Sequence, residues 1–111
     1  MTPATATSAV WTNWHWPEEV KAFAAQHGAE AYLEPLRELS ARFYPTAIRA
    51  RVSLDVDPEL RDERNITFRI DVPCDDVAEL MKTESAWTRE FIRIVPSVKL
   101  WVFRTLLYPV D

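Results

Sequence analysis

The sequence predicts an α+β fold, a two-layer sandwich in which helices cover one face of a three-stranded sheet. Two neighbouring segments alternate apolar and polar residues as half-buried strands do, and three other segments repeat apolar residues at helical spacing. The last segment is rich in strand-forming residues, so the expected element order is α-α-β-β-α-β. The length of 111 residues fits one domain, which we expect over residues 11–111 after a disordered tail at 1–10.

Two helices are expected before the sheet. A proline followed by two glutamates at 17–19 is typical of a helix start, because proline needs no N–H partner in the first turn and acidic groups favour the positive end of the helix dipole. This helix is expected to end at Gly28, the one glycine in the chain. A second helix is expected over 29–44, and Pro35 predicts that it starts, or bends, near Leu33.

The segment 48–72 predicts an antiparallel β-hairpin, around which the rest of the chain is organised. Apolar residues occupy every second position on both arms, so one face of the hairpin is expected to be buried. We expect a register that sets Arg51 opposite Asp71 rather than opposite Arg69, because like charges directly opposite each other destabilise a sheet. The connection over 58–64 is charged and is expected to be solvated.

A long helix and a final strand are expected after the hairpin. Asp75 or Asp76 is placed to cap the helix, which is expected to reach residue 94, just before Pro96. The strand is expected over 98–107. Because antiparallel pairs are commoner than parallel ones, we expect this strand to lie next to the first strand, which gives the sheet order 2-1-3.

The final strand carries apolar residues on both of its faces. If residues 98, 100 and 102 join the core, Trp101 and Phe103 emerge on the open face of the sheet. They would then lie beside Arg51 and Arg69 of the hairpin. The open face is therefore where the sequence predicts a functional surface.

The composition argues against several classes of protein. One glycine is too few for the glycine-rich loops that hold phosphates, and a net charge of −4 without a basic cluster argues against nucleic acid as a partner. His15, His27 and Cys74 stand apart from one another, so we expect no metal site, no cofactor and no catalytic group.

Cysteine usage and hydropathy predict the compartment. A single cysteine cannot form an internal disulfide, which gives no sign of an oxidising environment. The first ten residues lack the basic and apolar regions of a signal peptide, and no apolar run reaches the length of a membrane span. We therefore expect a cytoplasmic protein without membrane contact.

These observations favour a non-enzymatic protein–protein interaction domain of a small, acidic, bacterial type. Aromatic residues among arginines are typical of interface hot spots. The predicted partner-binding residues are therefore Trp101, Phe103, Arg51, Arg69 and Lys99. The expected partner is another protein or a second copy, most simply in a homodimer, and the size and acidity fit a neutralising antitoxin or immunity protein.

The alternative is a small ligand-binding protein or enzyme. Tryptophans at 11, 14 and 16 are interpreted as an arm that folds back onto the domain, since each buries a large apolar area, although they could instead form an aromatic patch. In this alternative, His15, Trp14 and Arg51 line a site between the arm and the sheet, which requires a concave surface.

Overall fold

A computed structural model describes residues 9–56 and 64–110 and shows a mixed α+β fold with one three-stranded sheet. The predicted tail at 1–10 falls mostly outside the described residues, and so does most of the predicted connection at 58–64. Two 3-10 turns span Glu30–Tyr32 and Ser97–Val102. The helices are α1 (Ala9–Thr12), α2 (Glu18–Gln26), α3 (Leu33–Phe43) and α4 (Val77–Ile94), and the strands are β1 (Arg49–Val56), β2 (Arg64–Pro73) and β3 (Phe103–Val110).

The helices α2, α3 and α4 begin and end close to where the sequence predicts, whereas the short α1 was not predicted. Gly28 follows α2 with a positive φ of 65°, a conformation that glycine adopts without steric cost. The 3-10 turn precedes α3, which starts at Leu33 and therefore places Pro35 in its first turn. Asp76 caps α4, because its Oδ1 accepts hydrogen bonds from the N–H groups of Ala78 at 3.0 Å and Glu79 at 3.3 Å.

The sheet order is β1-β2-β3, so the predicted order 2-1-3 is wrong. The strand β3 runs parallel to β2 and pairs with it from Ile66↔Phe103 to Pro73↔Val110. The helix α4 forms the crossover between these two parallel strands, as in a βαβ unit. The strand β1 forms the opposite edge of the sheet, and α1 and α2 both contact it. The prediction placed β3 next to β1, but a general preference for antiparallel pairs could not reveal that the N-terminal helices pack against β1.

The hairpin is present, but its predicted register is wrong. The observed partner of each β1 residue lies two residues earlier in β2 than predicted. Arg51 lies opposite Arg69, and Arg49 lies opposite Asp71. The like-charge pair is tolerated because Arg69 turns towards Ser53, whose Oγ accepts from Nη1 at 2.7 Å, and forms a hydrogen-bonded ion pair with Asp55. The ion pair with Asp55, four residues along β1 from Arg51, thus offsets the like-charge contact of Arg51 with Arg69.

The final strand starts later than predicted. Pro96 is followed by the 3-10 turn Ser97–Val102, and β3 spans Phe103–Val110 rather than 98–107. The N–H of Lys99 donates to the carbonyl oxygen of Pro96 at 2.8 Å, which closes the first turn of this segment. The turn changes which residues face the core, so alternation counted from residue 98 gives the wrong faces.

The buried face of the sheet carries Ile66, Phe68, Ile70 and Val72 of β2, all at most 4% exposed. The tryptophan arm packs onto this face: the ring of Trp14 stacks on Phe68 at 6.2 Å between centroids, and the ring of Trp16 meets Phe68 edge-on at 5.9 Å. The first tryptophan of the arm is only 1% exposed. The arm is therefore part of the core and not a free aromatic patch.

Candidate functional site

The five predicted partner-binding residues do not share one surface. Arg51 and Arg69 lie on the open face of the sheet, opposite each other in the register. Lys99 and Trp101 belong to the 3-10 turn Ser97–Val102, and Phe103 is only 7% exposed. The predicted position of Trp101 and Phe103 on the open face is wrong.

Phe103 begins β3 with its ring turned towards the core. Its pairing with Ile66, a fully buried residue of β2, puts both side chains on the covered face. The ring lies 6.5 Å from that of Phe68 and meets Phe91 of α4 edge-on at 6.3 Å. Phe103 thus joins helix to sheet and is not available to a partner.

Lys99 and Trp101 hold the end of α2. The Nζ of Lys99 donates to the carbonyl oxygen of His27 at 2.6 Å, next to the left-handed Gly28. The ring of Trp101 meets His27 edge-on at 5.1 Å and Phe23 at 6.3 Å, although Trp101 remains 47% exposed. These contacts connect the start of β3 to α2 at a site away from the open face.

The open face carries a different set of residues from the predicted one. Alternation along the three strands places four arginines and two aspartates on it, with one leucine and one tyrosine from β3. Thr67 lies at the middle of this face, where it is fully buried and donates to Asn65 Oδ1 at 2.8 Å. The surrounding set is Arg49, Arg51, Arg69, Arg104, Asp55, Asp71, Leu106 and Tyr108.

Among the described residues, Asp55 and Arg69 form the one ion pair on the open face. Burial alone would raise the pKa of Asp55, but hydrogen bonds from Arg69 and Ser53, together with the Arg69 charge, outweigh it and lower that pKa. The hydrogen bond from Arg69 to Asp55 raises the pKa of the guanidinium in turn. This pair is therefore ionised and is held in place on the sheet, whereas Arg49, Arg51 and Arg104 are exposed.

The outer edge of β3 has no paired strand among the described residues. The N–H of Cys74 donates to the carbonyl oxygen of Val110 at 2.9 Å, so the backbone of Val110 points towards β2. Since backbone groups alternate in direction along a strand, Thr105, Leu107 and Pro109 point their backbone groups outwards. Pro109 fits this assignment, because proline is tolerated where its missing N–H would face away from the sheet.

An aromatic cleft of about 300 Å³ runs between α4 and β3. Two buried hydroxyl groups, Tyr44 Oη and Thr105 Oγ1, have no hydrogen-bond partner within the described part of the chain, and both residues line the cleft. Burial of the phenol, with a further effect of the Glu84 carboxylate, raises the pKa of Tyr44 far above its ordinary value. The remaining walls are Trp87, Thr88, Phe91 and Phe103.

A second cleft, of about 250 Å³, lies between the tryptophan arm and β1. It brings together Trp14, His15 and Arg51, the three residues that the ligand-binding alternative names. The indole Nε1 of Trp14 is buried and has no hydrogen-bond partner among residues 9–56 and 64–110. The concave surface that this alternative requires is therefore present.

Over 9–56 and 64–110, no group of three or more His, Cys, Asp or Glu side chains is arranged to hold a metal ion. Within the same ranges, no helix is long and apolar enough to cross a membrane. Cys74 is a free, half-buried thiol in the connection before α4.

Comparison with known proteins found no matching family model, no matching curated protein and no matching solved structure. We therefore infer the function of this chain from its own surfaces.

Sequence reasoning missed Arg104, Leu106 and Tyr108, the residues that β3 contributes to the open face. The available signal was their period-two spacing, which extends to Val110. It was obscured because the apolar residues before Phe103 also alternate, although they lie in a 3-10 turn. The spacing of these apolar residues fits both a strand and a turn directly after Pro96, and it does not distinguish the two.

Proposed function

We propose that this protein is a non-enzymatic interaction domain that forms a homodimer through the outer edge of β3. The observation that supports the proposal is the eight-residue strand Phe103–Val110, whose outer edge has no partner in the described chain. Exposed edges of this length readily pair with another strand, and natural proteins usually protect them with charges, bulges or cover. A second copy in antiparallel orientation provides the same edge, as a two-fold interface requires.

The alternating backbone directions select the contacts of this dimer. With Thr105 of one copy opposite Leu107 of the second, each pair exchanges two N–H···O=C hydrogen bonds, and the two-fold axis doubles them to about four. Phe103 adds no donor, because its N–H already donates to the carbonyl oxygen of Leu100. Pro109 adds none because it has no N–H.

The side chains on the open face favour this register. It sets Leu106 opposite Leu106 of the second copy, and Arg104 opposite Tyr108 of the second copy. Tyr108 is 42% exposed and Arg104 is exposed, so both are accessible for a cation–π contact across the edge. A shift of the register by two residues would place each Arg104 opposite Leu106 instead, which loses this contact.

The covered face supports the same arrangement. Thr105 lines the aromatic cleft between α4 and β3, and Leu107 of the second copy would lie directly opposite Thr105. An aliphatic side chain at that position extends over a surface formed by Phe91 and Phe103, and removes apolar area from water. The pairing would therefore combine backbone hydrogen bonds with apolar burial on both faces.

Such a dimer would join two open faces into one six-stranded surface carrying the exposed Arg49, Arg51 and Arg104 of each copy. This surface suits an acidic protein partner, and an antitoxin-type or immunity-type role would use it. We also propose a cytoplasmic location, because the free and half-buried Cys74 is suited to a reducing compartment.

Sedimentation equilibrium tests the proposal with the variant Leu106→Glu. Two carboxylates would face each other at the dimer axis, so the dissociation constant is expected to rise at least about 100-fold, with the far-ultraviolet circular dichroism unchanged. The matched control is Val56→Glu, which places the same charge on an exposed apolar residue of the opposite edge strand. The control is expected to dimerise like the wild type.

Hydrogen exchange gives a second measurement at the proposed contacts. The amides of Thr105 and Leu107 are expected to become more protected as the protein concentration rises, while that of Arg104 is already held by β2. A wild type that stays monomeric at about 0.5 mM would overturn the proposal. Equal weakening by Leu106→Glu and Val56→Glu would also overturn it, because it would show a general effect of charge.

A further inference from the structure

The cleft between the tryptophan arm and β1 is lined by hydrogen-bond donors. Arg51 approaches it from the open face of the sheet, whereas Trp14 belongs to the covered face, where its ring stacks on Phe68. His15 and Asn13 complete the polar lining, and no aspartate or glutamate contributes to it. The arginine is always charged, and both the indole and the guanidinium can only donate.

The indole N–H of Trp14 is the feature that most needs an explanation. Buried polar groups in proteins nearly always have a hydrogen-bond partner, because a buried group without one destabilises the fold. Trp11 and Trp16, its neighbours in the arm, both donate from their indole nitrogens, to the carbonyl oxygen of Tyr44 at 2.7 Å and to Glu34 Oε1 at 2.8 Å. Trp14 differs from both: its side chain lines the cleft, but its indole nitrogen is buried and has no acceptor among the described residues, so this N–H is a reporter beside the cleft and not a donor exposed in it.

The other walls of the cleft are apolar. Val10, Ala50 and Val52 contribute to them, together with the ring of Trp14. The volume of about 250 Å³ lies below the range of about 300–1,000 Å³ that is typical of sites for drug-sized ligands. A ligand that fits is therefore small, bears an acceptor or a negative charge at one end, and is apolar at the other.

We propose that this cleft binds a small organic carboxylate, with Arg51 as the donor to its carboxylate group and the ring of Trp14 as part of its apolar wall. This site is separate from the β3 edge and would be present in the monomer, so the inference goes beyond the proposed dimerisation. The guanidinium supplies charge-assisted hydrogen bonds, which are shorter and stronger than those between neutral groups. The apolar walls favour an organic acid over inorganic phosphate, which has no apolar part to bury.

Titration with benzoate, observed through the indole N–H signals in a ¹H–¹⁵N spectrum, tests the inference. The signal of Trp14, assigned by its loss in Trp14→Phe, is expected to shift saturably with a dissociation constant in the millimolar range, while the signal of the remote Trp101 stays in place. Benzamide has the same shape without the charge and is expected to bind at least about tenfold more weakly. Inorganic phosphate is expected to produce no saturable shift.

Arg51→Gln is the informative variant, and Arg49→Gln is its matched control. Both arginines are exposed on β1 and point to the same face, but only Arg51 lines the cleft. Arg51→Gln is expected to weaken benzoate binding by at least about tenfold, whereas Arg49→Gln leaves it unchanged. Absence of a saturable Trp14 shift up to about 50 mM benzoate, equal binding of benzamide, or equal losses in the two variants would each overturn the inference.

Discussion

Replacement of Trp11 by phenylalanine tests the central claim about the N-terminal arm, that it belongs to the core. Trp11 is 1% exposed, and its ring stacks on that of Trp14 with 5.5 Å between centroids. Its Nε1 donates to the buried carbonyl oxygen of Tyr44 at 2.7 Å. Phenylalanine keeps an aromatic ring but removes the donor. The carbonyl oxygen of Tyr44 would then lose this buried hydrogen bond.

The magnitude follows from two contributions. A buried acceptor left without its donor costs about 1–3 kcal/mol, and the smaller ring adds about 1 kcal/mol through imperfect packing. The sum, about 2–4 kcal/mol, is a large share of the roughly 5–15 kcal/mol by which a domain is stable. The matched control is Trp101→Phe, because Trp101 is 47% exposed and its indole makes no hydrogen bond to a described residue. We expect this control to lose less than about 1 kcal/mol.

Urea unfolding followed by circular dichroism measures both free energies of unfolding. A smaller loss for Trp11→Phe than for Trp101→Phe would contradict the assignment of the arm to the core. Losses below about 1 kcal/mol for both variants would refute the energetic role given to the hydrogen bond between Trp11 and Tyr44.

Two further predictions concern titrating groups. Tyr44→Phe removes a buried hydroxyl without a described partner, so the free energy of unfolding is expected to stay the same or rise by up to about 1 kcal/mol. Because the folded-state pKa of Tyr44 is raised, the stability of the wild type is expected to fall as the pH rises above about 10, and thermal unfolding at several pH values should show a smaller fall for the variant. Asp55→Asn is expected to cost about 1 kcal/mol at pH 7 by weakening the contact with Arg69. Because the folded-state pKa of Asp55 is lowered, that contribution is present above about pH 4 and is lost as the pH falls from there through the lower folded-state pKa, so a variant as acid-sensitive as the wild type in thermal unfolding would contradict the prediction.

The elements that the sequence predicts well are those set by local chemistry. Proline and acidic residues at the start of α2, a glycine after its end, and an aspartate before α4 each act within one helical turn. The alternation of the hairpin arms likewise depends on neighbouring residues only. For these elements the prediction needed no knowledge of what lies across the sheet.

The candidate site could not be predicted in the same way. The turn Ser97–Val102 carries strand-forming residues, yet it bends because Pro96 precedes it and because Lys99 and Trp101 contact α2. Those contacts join residues about 70 positions apart in the chain, as the pair of Lys99 and His27 shows. The prediction consequently assigned Trp101 to the open face, where the structure places Tyr108 and Leu106.

The ligand-binding alternative shows the opposite case. This alternative expects a site between the tryptophan arm and the sheet, lined by Trp14, His15 and Arg51. The cleft contains all three residues. Only the structure shows that the cleft contains no carboxylate and that the indole nitrogen of Trp14 is buried beside it without an acceptor among the described residues. A residue type names a possible donor, but only the packing around it shows whether a partner is present.

Periodicity and capping act over a few residues, and they are enough to predict the mixed α+β character, the hairpin with one apolar face and the ends of the longer helices. The sheet order, the hairpin register and the residues on the open face follow only from the folded chain. Each of these depends on contacts between distant groups: those of the N-terminal helices with β1, of Asp55 with Arg69, and of α2 with Trp101. Such contacts depend on burial and geometry over the whole chain, and local spacing does not reveal them.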